Sequence, residues 1–316
     1  MPEKKICTTV FPLNNGKAST KSHIEVRDSI VHALRSGYRL IDTAQSYKSE
    51  EAVGEAVRLS GIPRSEITVI TKFWSHWHHD PAQAMQISLD ALGLDYIDIF
   101  LMHWPCAFSP DGKEFLSPSA NPTYVETWKL MESCVGPRCK AIGVSNFTQK
   151  TLDILLPAAS IIPVVNQVEL HALNPGSRLV PYCHQKGIQI ISWSTMGGGP
   201  DFASNGQAII TNPLFQRIAA DNNCSTGVLA LSWAVQRGIS VIPKSSSLTR
   251  IEDNIKLVTL TEAEMKEIDQ AQTTIGKLRL SDSIRSLAGE RDGQPTIMNW
   301  TKQDFGWEDA EGNWLT

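Results

Sequence analysis

With 316 residues, 41% of them apolar and 20% charged, the chain has an ordinary folded composition and room for one large core, which excludes a disordered polymer. A formal charge of −4 speaks against a protein that neutralises a phosphate backbone, so no nucleic-acid partner is expected. No stretch approaches the roughly twenty apolar residues of a membrane span, and MPEKKICTTVF has no long apolar run after its lysines, which together predict a cytoplasmic protein with no membrane contact.

The predicted elements alternate along the chain. A helix over 25–36 precedes a strand over 38–43, and then come helix 50–59, strand 67–72, helix 82–92 and strand 96–103. The pattern continues with helix 124–134, strand 140–145, helix 149–156, strand 163–169, helix 177–186, strand 188–194, helix 225–236 and strand 239–244. Short β-branched runs separated by apolar residues at helical spacing are the mark of repeated βα units around a parallel sheet. Gly61-Ile62-Pro63, Asn174-Pro175-Gly176 and Gly197-Gly198-Gly199-Pro200 punctuate the loops, and no linker composition appears, so residues 1–316 read as a single domain. The cysteines Cys7, Cys106, Cys134, Cys139, Cys183 and Cys224 form no CxxC pair and no zinc-type spacing, which predicts reduced thiols and no metal.

Polar or reactive residues close nearly every strand: Asp42, Lys72, His103, Ser145 with Asn146, Gln167, Ser194, and Lys244 with Ser245. In a closed parallel barrel these ends share one face, where such folds place their chemistry. Tyr47 follows the first of these strands. A free phenol, with a pKa of about 10, is a poor proton donor at neutral pH, and a neighbouring ammonium lowers that value; Lys72 is placed to supply it. Asp42 then pairs with Lys72, offsetting the burial of a lone cation, and His103 orients a substrate oxygen. Singly each residue has a plainer role as a helix cap, a surface lysine or a packed loop side chain; at successive strand ends, the four together suit the addition of hydride and proton to a carbonyl.

The runs GYRLIDTAQSY, VITKFW, LGLDYIDIFLMHWP, AIGVSNF, VVNQVELH and VIPKSSSLTRIEDN, in this order between about residue 25 and residue 275, resemble the aldo-keto reductase family. The resemblance implies a (β/α)8 TIM barrel and a catalytic tetrad of Asp42, Tyr47, Lys72 and His103, with Tyr47 the general acid in reduction. It implies NADPH/NADP+ as cofactor, its nicotinamide carboxamide held by Ser145, Asn146 and Gln167, with Trp193 standing where the family has a stacking tyrosine. It adds Ser194, Met196 and Gly197 as cofactor-binding residues and places the run Gly197–Pro200 over the pyrophosphate. Lys244, Arg250, Ser245 and Ser247 fall at the adenosine 2′-phosphate and favour NADPH over NADH, Asn254 at the adenine, and Asp253 where the family often has Glu. Trp74, Trp77 and Trp104, with Phe73 and Phe108, are expected to line an aromatic substrate pocket, closed by a C-terminal loop of about residues 276–316 that includes Trp300 and Trp307.

One departure stands out. FPLNNGKASTKSHIEV runs almost directly into the first helix, so the first barrel strand is either missing or replaced. Residues around 7–13 fill the gap, or the barrel is open or wider there, or the chain is a shortened form with weakened folding. The expected activity is reversible NADPH-dependent reduction of an aldehyde or ketone to an alcohol, on a generic carbonyl or on one bulky metabolite, by a monomer or weak oligomer. The alternative is an NADP(H)-binding regulatory or scaffold protein with little turnover.

Overall fold

In a computed structural model, residues 8–9, 20–198 and 209–315 are described. Eight parallel strands pair in chain order: β1 (Thr8–Thr9), β2 (Leu40–Asp42), β3 (Thr68–Phe73), β4 (Ile97–Met102), β5 (Cys139–Ser145), β6 (Val165–Glu169), β7 (Gln189–Trp193) and β8 (Ser240–Val241). Helices α1 (Thr20–Arg35), α2 (Glu50–Ser60), α3 (Pro81–Leu92), α4 (Tyr124–Glu132), α5 (Gln149–Leu155), α6 (Leu179–Gln185), α7 (Pro213–Asp221) and α8 (Thr226–Gln236) intervene. The chain goes on through α9 (Leu248–Asp253), α10 (Glu262–Asp269), α11 (Ala271–Thr274), an antiparallel hairpin of β9 (Ala288–Arg291) and β10 (Gln294–Ile297), and α12 (Lys302–Phe305). This is the (β/α)8 fold.

Side-chain parity decides what faces where, because successive residues of a strand point to opposite faces. Ile70, Leu101, Val165, Ile191 and Ile242 form one buried cluster inside the curled sheet. Their strand neighbours Ile41, Val69, Phe100, Ile142, Val144 and Ile190 belong to the larger cluster between sheet and helices. Burying each such aliphatic side chain contributes roughly 1.5–3 kcal/mol. A one-residue slip would exchange the two sets, so the hydrophobic effect also fixes the register.

All seven predicted strands are present: five are trimmed at their ends, β3 is shifted by one residue and β5 starts one residue earlier. The last shrinks to two residues because Pro243, which has no backbone N–H, follows close behind it. The gap at the N-terminus is filled by the first of the three expected routes: Thr8 pairs with Ile41 and Thr9 with Asp42, so β1 occupies the place beside β2. Cys7, residues 10–13, and Gly199 and Pro200 of the glycine run lie outside the described residues.

Local chemistry sets several helix starts. Asp80 accepts from the Gln83 N–H with Pro81 in the first turn, and Thr123 with Glu126 forms a reciprocal capping box. Gly54 lets α2 close on α3, since a Cβ there would lie 1.7 Å from the Leu92 carbonyl oxygen.

Candidate active site

The parity that buries Ile70 and Leu101 inside the sheet aims the residues two further along at its C-terminal mouth. Asp42, Lys72, His103, Ser145, Gln167 and Trp193 all follow an inward-facing position by an even step. Asp42 and Lys72 are 0% exposed. The Lys72 Nζ donates to Asp42 Oδ2 at 2.8 Å and to the Thr43 carbonyl at 2.9 Å, and Gln167 Nε2 donates to Asp42 Oδ1 at 2.6 Å. Burial lowers the Lys72 pKa, and the carboxylate of Asp42 works against that shift.

Tyr47 ends the 3-10 turn Gln45–Tyr47. Gln45, which the sequence reading passed over, pins this turn: its Nε2 donates to the Ala84 carbonyl at 2.8 Å, and its Oε1 accepts from the Trp74 N–H at 3.3 Å. The Lys72 ammonium lies 4.9 Å from the centroid of the Tyr47 ring. The phenol is nevertheless raised above its ordinary pKa, first by burial and then by the charge of Asp42. The expected depression by Lys72 is therefore corrected: in this structure the ammonium is committed to Asp42 and Thr43, and desolvation dominates.

His103 meets Tyr47 and Trp74 edge-on, at ring-centroid distances of 5.7 and 5.1 Å. Burial, then the nearby Lys72 charge, holds its pKa well below the ordinary value, so the imidazole is neutral at physiological pH. Beside it, Asn146 adopts a left-handed φ of 63° and donates from Nδ2 to the His103 carbonyl at 2.9 Å. Its Oδ1 accepts from the Trp193 indole N–H at 3.0 Å, and Ser145 Oγ donates to the Gln167 carbonyl at 2.8 Å.

These groups open on a cavity of about 430 Å³, walled by Tyr47, His103, Asn146, Gln167 and Trp193 on the sheet side. Trp74 and Trp104 line it, joined by Ile284, Ser286 and Leu287 of the C-terminal segment, which the sequence did not single out. Trp77 does not line this cavity. It stacks on His79 at 5.7 Å, because the 3-10 turn Ser75–Trp77 carries it away from Trp74. Phe73 packs in the core against Phe100, and Phe108 supports Trp74 at 6.1 Å. Trp300 and Trp307 are buried around Phe305, which stacks on Trp307 at 4.2 Å.

A second cavity of about 240 Å³ shares Ser194 and Ile242 with the first and extends past Met196 to Lys244. Gly197, at φ +73°, closes against Ile209, which a Cβ would approach to 2.8 Å. Ser247 caps α9, and Arg250 Nε donates to Ser245 Oγ at 3.3 Å. Lys244 and Arg250 are exposed, and neither makes an ion pair with a described carboxylate. Asp253 is paired with Lys256 at 2.9 Å, and Asn254 is buried at the end of α9 without lining either cavity.

The fit to a dinucleotide phosphate can be judged on these features. Two cavities that share Ser194 and Ile242 run from a polar amide pair beside an indole ring to the exposed Lys244, and the exposed Arg250 sits beside Ser245, next in the chain. Amides suit a carboxamide, and uncommitted cations suit a phosphate dianion, so the residues present fit NADP(H). Among the described residues, no cluster of acidic, His and Cys side chains could hold a metal ion, and no helix is long and apolar enough to cross a membrane.

The aldo/keto reductase family model matches residues 12–273. The glycerol 2-dehydrogenase (NADP(+)) of Saccharomyces cerevisiae is 37% identical over 270 residues, covering 80% of this chain and 84% of the relative. The D-galacturonate reductase of Hypocrea jecorina is 34% identical over 279 residues, covering 82% and 88%. Among solved structures, an aldo-keto reductase of Bombyx mori in complex with NADP superposes with a TM-score of 0.73 at 33% identity, over 84% of this chain and 88% of that one. The aldose reductase of Giardia lamblia gives 0.77 at 30% identity, over 87% and 94%. Sequence, fold and strand-end geometry coincide, and the chain belongs to the aldo/keto reductase family.

Proposed function

We infer that this protein reduces an aldehyde or ketone to an alcohol with NADPH, and runs the reverse oxidation with NADP+. The observation that carries the reading is the placement of Tyr47 and His103 on the wall of a cavity, with the buried Lys72–Asp42 pair behind Tyr47, and a second cavity that shares Ser194 and Ile242 with it and reaches Lys244. When bound, the dinucleotide supplies or accepts the hydride. Asn146, Ser145 and Gln167 would hold its carboxamide, Trp193 its ring face, and Ser194, Met196 and Gly197 its pyrophosphate. Lys244, Ser245, Ser247 and Arg250 would hold the 2′-phosphate, with Asn254 near the adenine; Asp253, spent on Lys256, is left a helix-end role.

Tyr47 delivers the proton to the carbonyl oxygen. Its raised pKa keeps the phenol protonated throughout the neutral range and makes it a weak acid, but the alkoxide formed by hydride addition is a stronger base than phenolate and draws the proton from it. His103, neutral and held edge-on to Tyr47, donates an N–H to the same oxygen and sets its position. Lys72 balances the phenolate left after proton transfer, and Asp42 keeps the ammonium in place. Trp74 and Trp104 with the C-terminal Ile284 and Leu287 offer flat, apolar walls, which suit an aromatic or aliphatic carbonyl compound. A cytoplasmic location, from the lack of a signal-like or membrane-spanning run, and a monomer or weak oligomer, from the family resemblance, go with this reading. The scaffold alternative was motivated by the short N-terminus, and β1 removes that motive by filling the strand position.

Tyr47→Phe tests the assignment. Following NADPH absorbance with a panel of aldehydes, kcat falls by about 10²- to 10⁴-fold while NADPH affinity holds. The wild-type rate of reduction stays flat between about pH 6.5 and 9, since the phenol is raised and the His103 imidazole is lowered out of that window. Undiminished turnover in the phenylalanine variant overturns the reading.

A further inference from the structure

Glu169, the last residue of β6, is buried two positions beyond Gln167 on the same face of the strand, yet it points at neither Asp42 nor Lys72. Both of its oxygens are spent on the C-terminal segment and on His171. Oε1 accepts from the Leu280 N–H at 2.6 Å and from His171 Nε2 at 3.1 Å, and Oε2 accepts from the Ser281 N–H at 2.9 Å and the Ser281 hydroxyl at 2.7 Å. Only a carboxylate is an acceptor at both atoms. An amide in either orientation would set an NH2 group against a backbone N–H.

What this clasp holds is the far wall of the substrate cavity. The Ser281 carbonyl accepts from the Ile284 N–H at 3.3 Å, and the Ile284 carbonyl accepts from the Leu287 N–H at 3.0 Å, so two successive turns carry the position of Ser281 to the side chains lining the cavity. Other ties lie on either side. Leu278 N–H donates to the Leu173 carbonyl at 3.1 Å, and the Arg279 guanidinium pairs with Glu308 at 3.3 Å. Lys302 also pairs with Asp282 at 3.0 Å, and the Met298 N–H donates to the Leu287 carbonyl at 2.7 Å; these ties keep the segment attached without Glu169, while among the described hydrogen bonds Glu169 is what holds the Leu280 and Ser281 amides.

We propose that Glu169 is a positioning residue for substrate selectivity: by clasping Leu280 and Ser281 it sets the wall of Ile284, Ser286 and Leu287 against which a bulky apolar carbonyl substrate packs. The proposal rests on the carbonyl-reductase reading of the same cavity. Because β6 also carries Gln167 at the cofactor side, one strand end sets both the amide that meets the nicotinamide and the wall that meets the substrate.

The test compares the full-length wild type with Glu169→Gln and the milder Ser281→Ala, using NADPH with 2-naphthaldehyde as the bulky substrate and propanal as the small one. For Glu169→Gln, KM for 2-naphthaldehyde rises about tenfold, while kcat for both aldehydes and KM for propanal stay within about twofold. Ser281→Ala shifts KM in the same direction by less. NADPH affinity, read from tryptophan quenching, is unchanged, and hydrogen exchange at the Leu280 and Ser281 amides accelerates in Glu169→Gln. Equal losses on both aldehydes, or faster exchange with no change in the KM for 2-naphthaldehyde, would overturn the selectivity role. Unchanged exchange would overturn the clasp itself. A wild type inactive on both aldehydes would sink the reductase reading instead, with the exchange measurement still deciding the clasp.

Discussion

The two ends of one groove are built on opposite plans. At the strand-end site the polar groups are buried and satisfy one another: Asp42 receives Lys72 at 2.8 Å and Gln167 at 2.6 Å, with lysine and aspartate both 0% exposed. At the segment after β8, Lys244 and Arg250 stand in solvent, and the side chain of Arg250 donates to Ser245 Oγ over a long 3.3 Å. Proton delivery needs its geometry fixed before the substrate arrives, because dipoles that must reorganise during reaction stabilise its transition state less. Anion capture needs the reverse, charge left uncommitted until the anion comes.

That contrast is broken most forcefully at Lys72. In Lys72→Met the Asp42 carboxylate stays buried with Gln167 as its remaining side-chain donor, and removing one partner of a buried ion pair costs about 3–5 kcal/mol. Urea unfolding of the variant should show a loss of that size, accompanied by loss of carbonyl turnover. A destabilisation below about 1 kcal/mol would mean that the pair is not what organises this end of the groove.

At the exposed end the same kind of deletion acts on ligand and spares the fold. Lys244→Ala combined with Arg250→Ala removes both charge-assisted bonds proposed to the 2′-phosphate, each contributing about 2 kcal/mol, so NADPH binding weakens by roughly 10³-fold. NADH binding, which lacks that phosphate, stays put, and unfolding stability moves by no more than about 0.5 kcal/mol. Fluorescence titration with both cofactors checks this; an equal loss for NADPH and NADH would mean that the segment does not read the 2′-phosphate.

The buried end was also the more legible from sequence, because strand parity is written in alternating residues and carries Asp42, Lys72 and His103 to one face together with Ile70 and Leu101. The substitute strand β1 was not legible: two residues are too few to show alternation, and only their pairing with Ile41 and Asp42 reveals them. Two other elements carried signals that went unread. Asn212 and Pro213 start α7 with a side-chain cap and a proline in the first turn. Asp292 and Gly293, both with positive φ, make the tight turn of the β9–β10 hairpin. Trp77 looked like a pocket residue because composition does not say how a short turn rotates its side chains. Glu169 was quoted within a family motif, but its Leu280 and Ser281 donors, 111 and 112 residues away, are mostly backbone amides, which leave no mark on the sequence.

Trp193 stands between the two plans, and the smallest expected effect falls there. Its indole borders the main cavity as an exposed platform would, while its N–H is spent at 3.0 Å on Asn146 Oδ1, in the manner of the buried end. Trp193→Phe keeps an aromatic face and deletes that one hydrogen bond, leaving Asn146 held by its donation to the His103 carbonyl. A neutral hydrogen bond of this kind contributes about 1 kcal/mol, so the KM for NADPH should rise roughly fivefold with kcat for aldehyde reduction unchanged. If the KM does not move, the ring face alone matters and Trp193 belongs wholly to the ligand-facing plan. If kcat falls as well, the Asn146 amide is coupled through its bond to the His103 carbonyl into proton delivery, and the division between the two ends lies further along the groove, beyond Ser194.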